Sequence, residues 1–161
     1  MLRVVEAEPG IGLQQAHQLF QEYAGSLETD LEFQNFGEEL ATLPGKYARP
    51  GGRLLLVLDD TEPAGCVALR PLSADTCEMK RLYVRPNFRN VGVGRLLTER
   101  VLQEARGAGY HRIRLDSLPE MTSALSLYRK LGFREIAPYR ESPIQGTVFL
   151  ELQLDSAPDD S

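Results

Sequence analysis

The sequence has no tryptophan, only two cysteines and only two histidines among its 161 residues. Cys66 and Cys77 are too few and too irregularly placed for a disulfide framework or a zinc site, so we expect two free thiols and no bound metal. If the chain turns back near Ser73 between two strands, Cys66 should lie opposite a residue near Arg81 rather than opposite Cys77.

Long apolar runs and an excess of positive charge are also missing. No stretch approaches the ~20 apolar residues that span a bilayer, and the first ten residues lack the apolar core of a secretory signal. We therefore predict a cytoplasmic protein with no membrane partner. Lys and Arg number 18 against 23 Asp and Glu, for a net charge of −5, which argues against a nucleic-acid partner because such binding usually needs an extended basic face.

The length of the chain suits one domain with a sizeable core and is too short for two. We predict a single domain over residues 1–155 and a disordered acidic tail at 156–161. Helical spacing of apolar residues predicts a helix from about Gly12 to Leu27 and a shorter one around Phe36 to Leu40. A three-strand meander should follow at Arg53–Leu58, Ala64–Pro71 and Thr76–Arg85, and its first strand is apolar enough to be buried on both faces. The other predicted elements are a strand at Leu2–Glu6, a helix from about Gly92 to Gly109, a strand at His111–Asp116, a capping box at Ser117–Glu120 before a helix ending at Leu131, and strands at Phe133–Tyr139 and Thr147–Leu154.

The stretch from Met79 to Leu97 runs from a β-prone segment through a glycine-punctuated loop into a helix. The first amides of a helix lack intrahelical partners and the helix dipole adds positive charge there, so a phosphate can bind on main-chain donors. Gly92 and Gly94 let the backbone approach a bulky pyrophosphate. The stretch has five basic residues and, from the first of them onward, no acidic one: Lys80, Arg81, Arg85, Arg89 and Arg95. It therefore predicts an anion site.

Two motifs in the sequence resemble signatures of the GNAT superfamily of N-acetyltransferases. Arg89, Gly92 and Gly94 match R-x-x-G-x-G, the coenzyme A loop of that family. Residues 124–133, ALSLYRKLGF, are similar to its second signature, A-x-x-L-Y-x-x-x-G-F. The resemblance implies the GNAT fold, an α/β (α+β) architecture whose mixed, mostly antiparallel sheet is flanked by helices and splayed between two central strands.

The resemblance also implies acetyl-CoA as the acyl-donor co-substrate. Its pantetheine arm would fill the gap between the third meander strand and a parallel neighbour, bonding to the backbone of Leu82, Tyr83 and Val84. The Val84 amide would also polarise the thioester carbonyl. The pyrophosphate is expected to contact the loop and the first helical turn, at Arg89, Asn90, Val91, Gly92, Val93, Gly94 and Arg95.

A proton donor for the departing thiolate is implied at Tyr128, which stands where the family pattern has its tyrosine. A phenol, with a reference pKa near 10, stays protonated at neutral pH and can give its proton to a thiolate. Taken without its motif, Tyr128 is a core residue on an apolar helix stripe. One departure is Met121, where the family often has an asparagine that reaches the cofactor; a hydroxyl of Ser117 or Ser123 could substitute.

A proton acceptor for the attacking amine is predicted at Glu78, with Glu32 and Asp116 as weaker candidates. GNAT proteins that use a glutamate base often carry it on this strand. Strand parity would place four residues on one face: Glu78, Lys80, Leu82 and Val84. The alternative interpretation of Glu78 is a surface ion-pair partner of the neighbouring basic residues.

The sequence thus predicts an acetyl-CoA-dependent N-acetyltransferase that transfers acetyl directly to the primary amine of a small-molecule acceptor. The alternative is a non-catalytic acyl-CoA-binding sensor, against which Tyr128 argues. A different nucleotide binder is disfavoured, because residues 92–97 lack the third glycine of a dinucleotide fingerprint and no G-K-S/T loop is present. The acceptor is expected near the first two helices and Tyr139–Pro143, whose mixed charge could hold a zwitterion such as an amino acid. A homodimer formed through the last strand is compatible with the sequence.

Overall fold

The structure is a computed structural model that describes residues 1–27 and 31–154, without the side chains of Glu32 and Phe33. The predicted tail at 156–161 and residues 28–30 lie outside the described residues. The elements in the described part are β1 (Leu2–Glu6), α1 (Ile11–Gly25), α2 (Phe36–Ala41), β2 (Arg53–Asp59), β3 (Glu62–Pro71), β4 (Thr76–Val84), α3 (Val93–Gly107), β5 (Arg112–Ser117), α4 (Thr122–Lys130), β6 (Arg134–Glu135) and β7 (Val148–Gln153). Short 3-10 turns lie at Leu31–Gln34, Gly45–Tyr47 and Pro86–Phe88.

The strands form one seven-stranded sheet in the order β1-β2-β3-β4-β5-β7-β6. Every neighbouring pair is antiparallel except β4 and β5, which are parallel. Helices cover both faces, so the predicted α/β class and the mixed, mostly antiparallel sheet are confirmed.

The central parallel pair is splayed, also as predicted. Strands β4 and β5 are in register only from Thr76–Glu78 against Arg112–Arg114. Past Glu78, β4 continues to Val84 with no partner on its β5 side among the described residues. The result is a wedge-shaped gap in the middle of the sheet, which opens toward the loop before α3.

Two apolar clusters lie on opposite faces of the sheet. Helices α3 and α4 pack on one face and α1 and α2 on the other. Strand β2 serves both clusters, because alternate side chains point to opposite faces: Leu55 and Val57 belong to the α3 side, and Leu54 and Leu56 to the α1 side. All four are buried, which confirms the prediction that this strand is buried on both faces.

The predicted capping box at Ser117–Glu120 is wrong. Ser117 is the last residue of β5 and pairs with Val148 of β7, so it cannot also begin a helix. Helix α4 begins at Thr122, and its N-cap residue, Met121, makes no side-chain capping bond. The motif failed because the sheet uses the serine as a strand residue.

The strand predicted at Phe133–Tyr139 is much shorter, since only Arg134–Glu135 pairs with β7. After one more bond, from the Ile136 amide to the Phe149 carbonyl, the chain leaves the sheet. This departure carries Tyr139 toward the centre of the molecule, where its hydroxyl donates to Glu78 at 2.6 Å.

Cys66 and Cys77 are both buried free thiols, as expected. Cys66 lies opposite Tyr83 in the register of β3 and β4, and its Sγ donates to the Arg81 carbonyl at 3.4 Å. The prediction that Cys66 faces the region of Arg81, and not Cys77, is therefore confirmed.

Candidate active site

The loop before α3 presents a row of amides without acceptors. The Leu96 amide is the first to reach a carbonyl within the helix, that of Gly92. Within the described residues, the amides of 90–95 donate to no backbone or side-chain acceptor that the structure gives. Such a row at a helix N-terminus can hold an anion, because the dipole adds to its unsatisfied donors.

Two residues bend the backbone into this loop. Asn90 has φ 66° and Gly92 has φ 90°, both in the left-handed region that most side chains avoid. Gly92 caps α3, and a Cβ there would meet nothing within 4 Å. At Gly94 a Cβ would lie 3.8 Å from the Val84 side chain, an ordinary contact, so the protein itself does not require glycine at this position.

The amides open on a cavity of about 510 Å³, which we call the loop cavity; its lining includes Val84, Arg89, Gly92, Gly94 and Ser123. A smaller cavity of about 70 Å³, the inner cavity, is lined by residues that include Lys80, Asp116, Ser117, Tyr128 and Ser142. Both cavities are lined by Tyr23, Leu82, Met121 and Ala124. They therefore adjoin beneath the splayed strands, and a long ligand bound in the first could present its end to the second.

The edge of β4 is shaped by a bulge at Arg81, which has φ 63° in the middle of the strand. The bulge changes the parity of the strand. Glu78 lies on the α1 side, where Lys80 contacts Gln34, whereas Leu82 and Val84 pack with the α3 cluster. The predicted common face for all four residues is therefore wrong, because alternation holds only in an unbulged strand.

The Val84 amide points into the gap between β4 and β5. Val84 lies opposite Gly65 of β3. The next amide in the chain, that of Arg85, donates to the carbonyl of Ala64, also in β3, at 2.9 Å. Because antiparallel partners alternate between bonded and unbonded pairs, Val84 occupies an unbonded pair relative to β3. No acceptor in the described part of the chain reaches its N–H, which could therefore bind a ligand lying along the gap.

Tyr128 projects from α4 to the inner cavity and is only 5% exposed. Its ring packs against Phe133, at 5.6 Å between ring centroids. In the described part of the chain its hydroxyl has no hydrogen-bond partner, and burial raises the pKa of the phenol above its usual value. The side chain is both a core residue and a lining residue, so the two interpretations of Tyr128 are compatible.

Glu78 is fully buried and held by three side chains. Arg70 and Arg140 form ion pairs with its two carboxylate oxygens, and Tyr139 donates to it. Burial by itself would raise the pKa of this carboxyl, but the surrounding cations and the Tyr139 bond outweigh burial and lower the pKa overall. Glu78 does not line the inner cavity, and its role as the base stays a prediction.

Asp116 lines the inner cavity directly. Its Oδ2 accepts from Arg140 at 3.0 Å, and no donor within residues 1–27 or 31–154 reaches its Oδ1. Since Arg140 binds Asp116 and Glu78 together, one guanidinium connects the cavity-lining carboxylate to the fully buried one. Glu32, the other candidate base, has no described side chain.

The remaining predicted residues occupy the loop. Arg89 is exposed; its Nε donates to the Val84 carbonyl at 2.9 Å, and its guanidinium lies over the Tyr83 ring. Arg95 pairs with Glu99 one turn along α3. Val91 is 64% exposed and is not among the residues that line the loop cavity.

The alternative hydroxyls suggested in place of the family asparagine are divided between the two cavities. Ser123 lines the loop cavity and Ser117 the inner one, where its hydroxyl donates to the Leu118 carbonyl at 3.3 Å. Met121 lines both.

Sequence patterns gave no sign of the contributions of Gln34 and Tyr23, and only a general sign of that of Arg140. Gln34 accepts from Lys80 and from Arg81 through one oxygen, and Tyr23 lies beneath the Arg81 guanidinium. These contacts depend on the bulge and on α1 and α2, which are far from β4 in sequence. The only available signal was the mixed charge at Tyr139–Pro143.

The described residues contain no group of three or more histidine, cysteine, aspartate or glutamate side chains placed to hold a metal. Among the same residues, no helix combines the length and the apolar character needed to cross a bilayer.

Comparisons with known proteins agree with one another. A family model described as acetyltransferase (GNAT) family matches residues 13–133. An uncharacterized N-acetyltransferase of Schizosaccharomyces pombe is 40% identical over 138 residues, which are 84% of this chain and 85% of that protein. A GNAT-family acetyltransferase structure from Staphylococcus aureus has a TM-score of 0.79 at 19% identity, covering 96% of this chain and 99% of that one. One from Elizabethkingia anophelis, solved with acetyl-CoA bound, has a TM-score of 0.69 at 21% identity and covers 94% and 97%.

Proposed function

The chain belongs to the GNAT acetyltransferase family, and from that premise we propose that it transfers the acetyl group of acetyl-CoA to the primary amine of a small acceptor. The observation that carries the proposal is the row of free amides at 90–95, which opens on the loop cavity. That cavity adjoins the one lined by Tyr128, so donor binding and proton donation meet at one place.

The loop fits a pyrophosphate. The amides of 90–95 supply uncharged donors, and Arg89 adds a cation whose terminal nitrogens are free of other described partners. The bond from Arg89 Nε to the Val84 carbonyl fixes the guanidinium at the mouth of the gap. Arg95 would contact phosphate only by turning away from Glu99, an exposed pair of small energetic value.

The gap between β4 and β5 fits the pantetheine arm, which would lie along Leu82, Tyr83 and Val84. The Val84 N–H would then donate to the thioester oxygen, where negative charge develops. A preorganised donor of this kind typically contributes about 3 kcal/mol to transition-state stabilisation. Because the donor is a main-chain group, the side chain at position 84 is weakly constrained by the reaction.

Proton movements are assigned to two side chains of the inner cavity. The amine nitrogen attacks the acetyl carbon and the carbon–sulfur bond breaks. Asp116 takes the proton that the amine loses, through its free Oδ1, and the Tyr128 hydroxyl gives its proton to the thiolate. Glu78, the base predicted from sequence, would act through Arg140 by orienting Asp116.

A thiol-release assay with acetyl-CoA and a panel of amines tests this function. Tyr128→Phe should lower kcat by about 100-fold or more, because general acid catalysis is lost, with the KM for acetyl-CoA little changed. Tyr110→Phe is the matched control: it removes another buried hydroxyl, one bonded to the Gly51 carbonyl, and should leave kcat unchanged. If acetyl-CoA binds but no amine stimulates thiol release, the chain is a sensor rather than an enzyme.

A further inference from the structure

The five basic residues between Lys80 and Arg95 differ in whether they have a carboxylate partner. Arg81 pairs with Glu39, Arg85 with Glu22 and Arg95 with Glu99. Within the described residues, Lys80 and Arg89 form no ion pair. Arg89 lines the loop cavity and Lys80 the inner cavity. Each cavity therefore has one cation that no described carboxylate contacts directly.

The Lys80 ammonium is buried with most of its hydrogen bonds unmade. The residue is 7% exposed, and among the described contacts its Nζ donates only to the side-chain oxygen of Gln34, at 2.9 Å. An ammonium has three donors, and the same Gln34 oxygen already accepts from Arg81. Glu78 and Asp116 attract the Lys80 ammonium through space, but no described carboxylate lies within ion-pair distance of it. Burying a cation whose direct contacts are limited to one shared, neutral acceptor is unfavourable, unless a ligand completes its coordination.

The inner cavity carries the opposite charge on another of its walls. Asp116 lines it; its Oδ2 accepts from Arg140, and no donor among the described residues reaches its Oδ1. Arg81 also lines the cavity, but its charge is paired with Glu39. Much of the remaining lining is apolar, with Leu27, Leu115 and Leu118 among its members. One cation and one anion in a cavity with apolar walls are complementary to a molecule that carries both charges and an apolar body.

We propose that the acceptor is a zwitterion of the amino-acid class, whose carboxylate binds Lys80 Nζ and whose amine faces Asp116. The inference rests on the proposed function and names the acceptor that this site selects. It assigns Lys80 to binding rather than to proton transfer. Amines without a carboxylate, such as polyamines and aminoglycosides, would leave the Lys80 ammonium unpaired and are expected to be poor acceptors.

Matched acceptors provide the test. Thiol release is measured with each of several L-amino acids, and with the primary amine that remains when its carboxylate is removed, for example leucine against 3-methylbutylamine. We expect kcat/KM at least 100-fold higher for the best amino acid than for its amine. Lys80→Met, a variant of similar length, should lower kcat/KM for that amino acid about 100-fold, mostly through KM, and leave the amine's value unchanged.

Three controls make the result specific. Lys130→Met removes an exposed lysine of α4 and should leave both acceptors unaffected. Lys80→Arg keeps the positive charge and should therefore retain part of the preference for the amino acid over its amine that Lys80→Met loses. The unfolding midpoint of Lys80→Met, measured in parallel, shows that the variant is folded. Equal kcat/KM for amino acids and their amines in the parent protein, or equal losses on both in Lys80→Met, would overturn the proposal.

A binding measurement separates this inference from the proposed function. Calorimetric titration of the same amino acids into protein saturated with CoA should show binding that Lys80→Met weakens at least tenfold. If that holds while no acceptor is turned over, the carboxylate site stands and the acetyltransferase assignment fails. If amines lacking a carboxylate are acetylated and no amino acid binds or reacts, the assignment stands and the carboxylate site is refuted.

Discussion

At the scale of single residues, Asp116 and Glu78 differ in what their carboxylates can reach. Glu78 is fully buried, and its carboxylate binds Arg70, Arg140 and Tyr139, so its negative charge is balanced by groups of the protein itself. Asp116 shares Arg140 but keeps one oxygen free in the inner cavity. A buried carboxylate with three partners is suited to holding other groups, and a cavity-lining one to receiving a proton.

Two variants separate these roles. Asp116→Asn should lower kcat by about 100-fold with little effect on stability, because proton transfer to the carboxylate is lost. Glu78→Gln should cost roughly 3 kcal/mol of unfolding free energy, because it removes a fully buried anion that pairs with two half-buried arginines, Arg70 and Arg140. Urea unfolding and thiol release measure both effects. If Glu78→Gln is as stable as the parent yet inactive, while Asp116→Asn turns over normally, Glu78 is the base.

Lys80 gives a pH-dependent prediction for the ligand-free protein. Burial and the neighbouring Arg81 charge lower its pKa from 10.5 to about 8, because they outweigh the opposite effect of Glu78 and Asp116. The unfolded chain therefore keeps this proton to a higher pH than the folded chain does. The charged lysine lowers the free energy of unfolding, and this loss of stability is fully present below pH 8 and vanishes above about pH 10.5.

Removing the lysine should remove that cost. Lys80→Met is expected to raise the unfolding free energy by roughly 3 kcal/mol at pH 7, which is the size of the pKa difference in free-energy terms, and by much less at pH 10.5. Urea unfolding of Lys80→Met, the parent and the control Lys130→Met at both pH values measures the difference. A gain that is the same at both pH values would show that Lys80 is not destabilised by its charge.

Some residues were identifiable from sequence and others were not, for a physical reason. Gly92, Gly94 and Tyr128 act through local geometry, a loop at a helix start and a position on one helix, so short motifs found them. Whether Lys80 has a direct ion-pair partner depends on tertiary contacts, because its neighbours Arg81 and Arg85 are the residues that pair with glutamates distant in sequence. Glu39 and Glu22 come from helices more than forty positions earlier, and no local pattern reports such pairings.

At the scale of elements, the bulge in β4 determines how the site is built. Arg81 adopts a left-handed conformation that costs a non-glycine residue about 1 kcal/mol. Two bonds to Glu39 at 2.9 and 2.8 Å, and stacking on the Phe36 ring, offset that cost. Sequence periodicity predicted the strand but not the bulge, because an arginine in a β-prone segment gives no sign of a positive φ.

Alanine substitutions at the two glycines that begin α3, Gly92 and Gly94, should change the stability of the free protein in opposite directions. Gly92→Ala should destabilise the free protein by about 1 kcal/mol, because its φ of 90° disfavours a Cβ. Gly94→Ala should instead stabilise the free protein by up to about 1 kcal/mol, since the helix gains alanine and its Cβ meets only an ordinary contact.

Coenzyme A binding should respond differently from stability. Both alanines place a methyl group on the face that the free amides present, so both should weaken CoA at least tenfold, including the stabilised Gly94→Ala. Urea unfolding and calorimetric titration with CoA give the two quantities. A Gly94→Ala protein that binds CoA as tightly as the parent would show that the phosphate does not approach this turn.

At the scale of the whole molecule, the sheet is continuous near Thr76 and divided near Val84. The halves are joined at the closed end by the pairing of Thr76–Glu78 with Arg112–Arg114. At the open end, α1 supplies Tyr23 and α4 supplies Ala124 to the lining of both cavities. A ligand in the gap would replace the missing strand pairing and bridge two strands that pair with each other only at one end.

Hydrogen–deuterium exchange tests that role of the gap. In the free protein the Val84 amide and the amides of 90–95 should exchange rapidly, because no described acceptor binds them, whereas the Val57 amide at the centre of β2 should be strongly protected. Saturating CoA should slow exchange at 82–84 and 90–95 by at least tenfold and leave β1 to β3 unchanged. Protection at 90–95 without any at 82–84 would mean that the ligand is held by its phosphates alone, and the pantetheine placement along β4 would then be wrong.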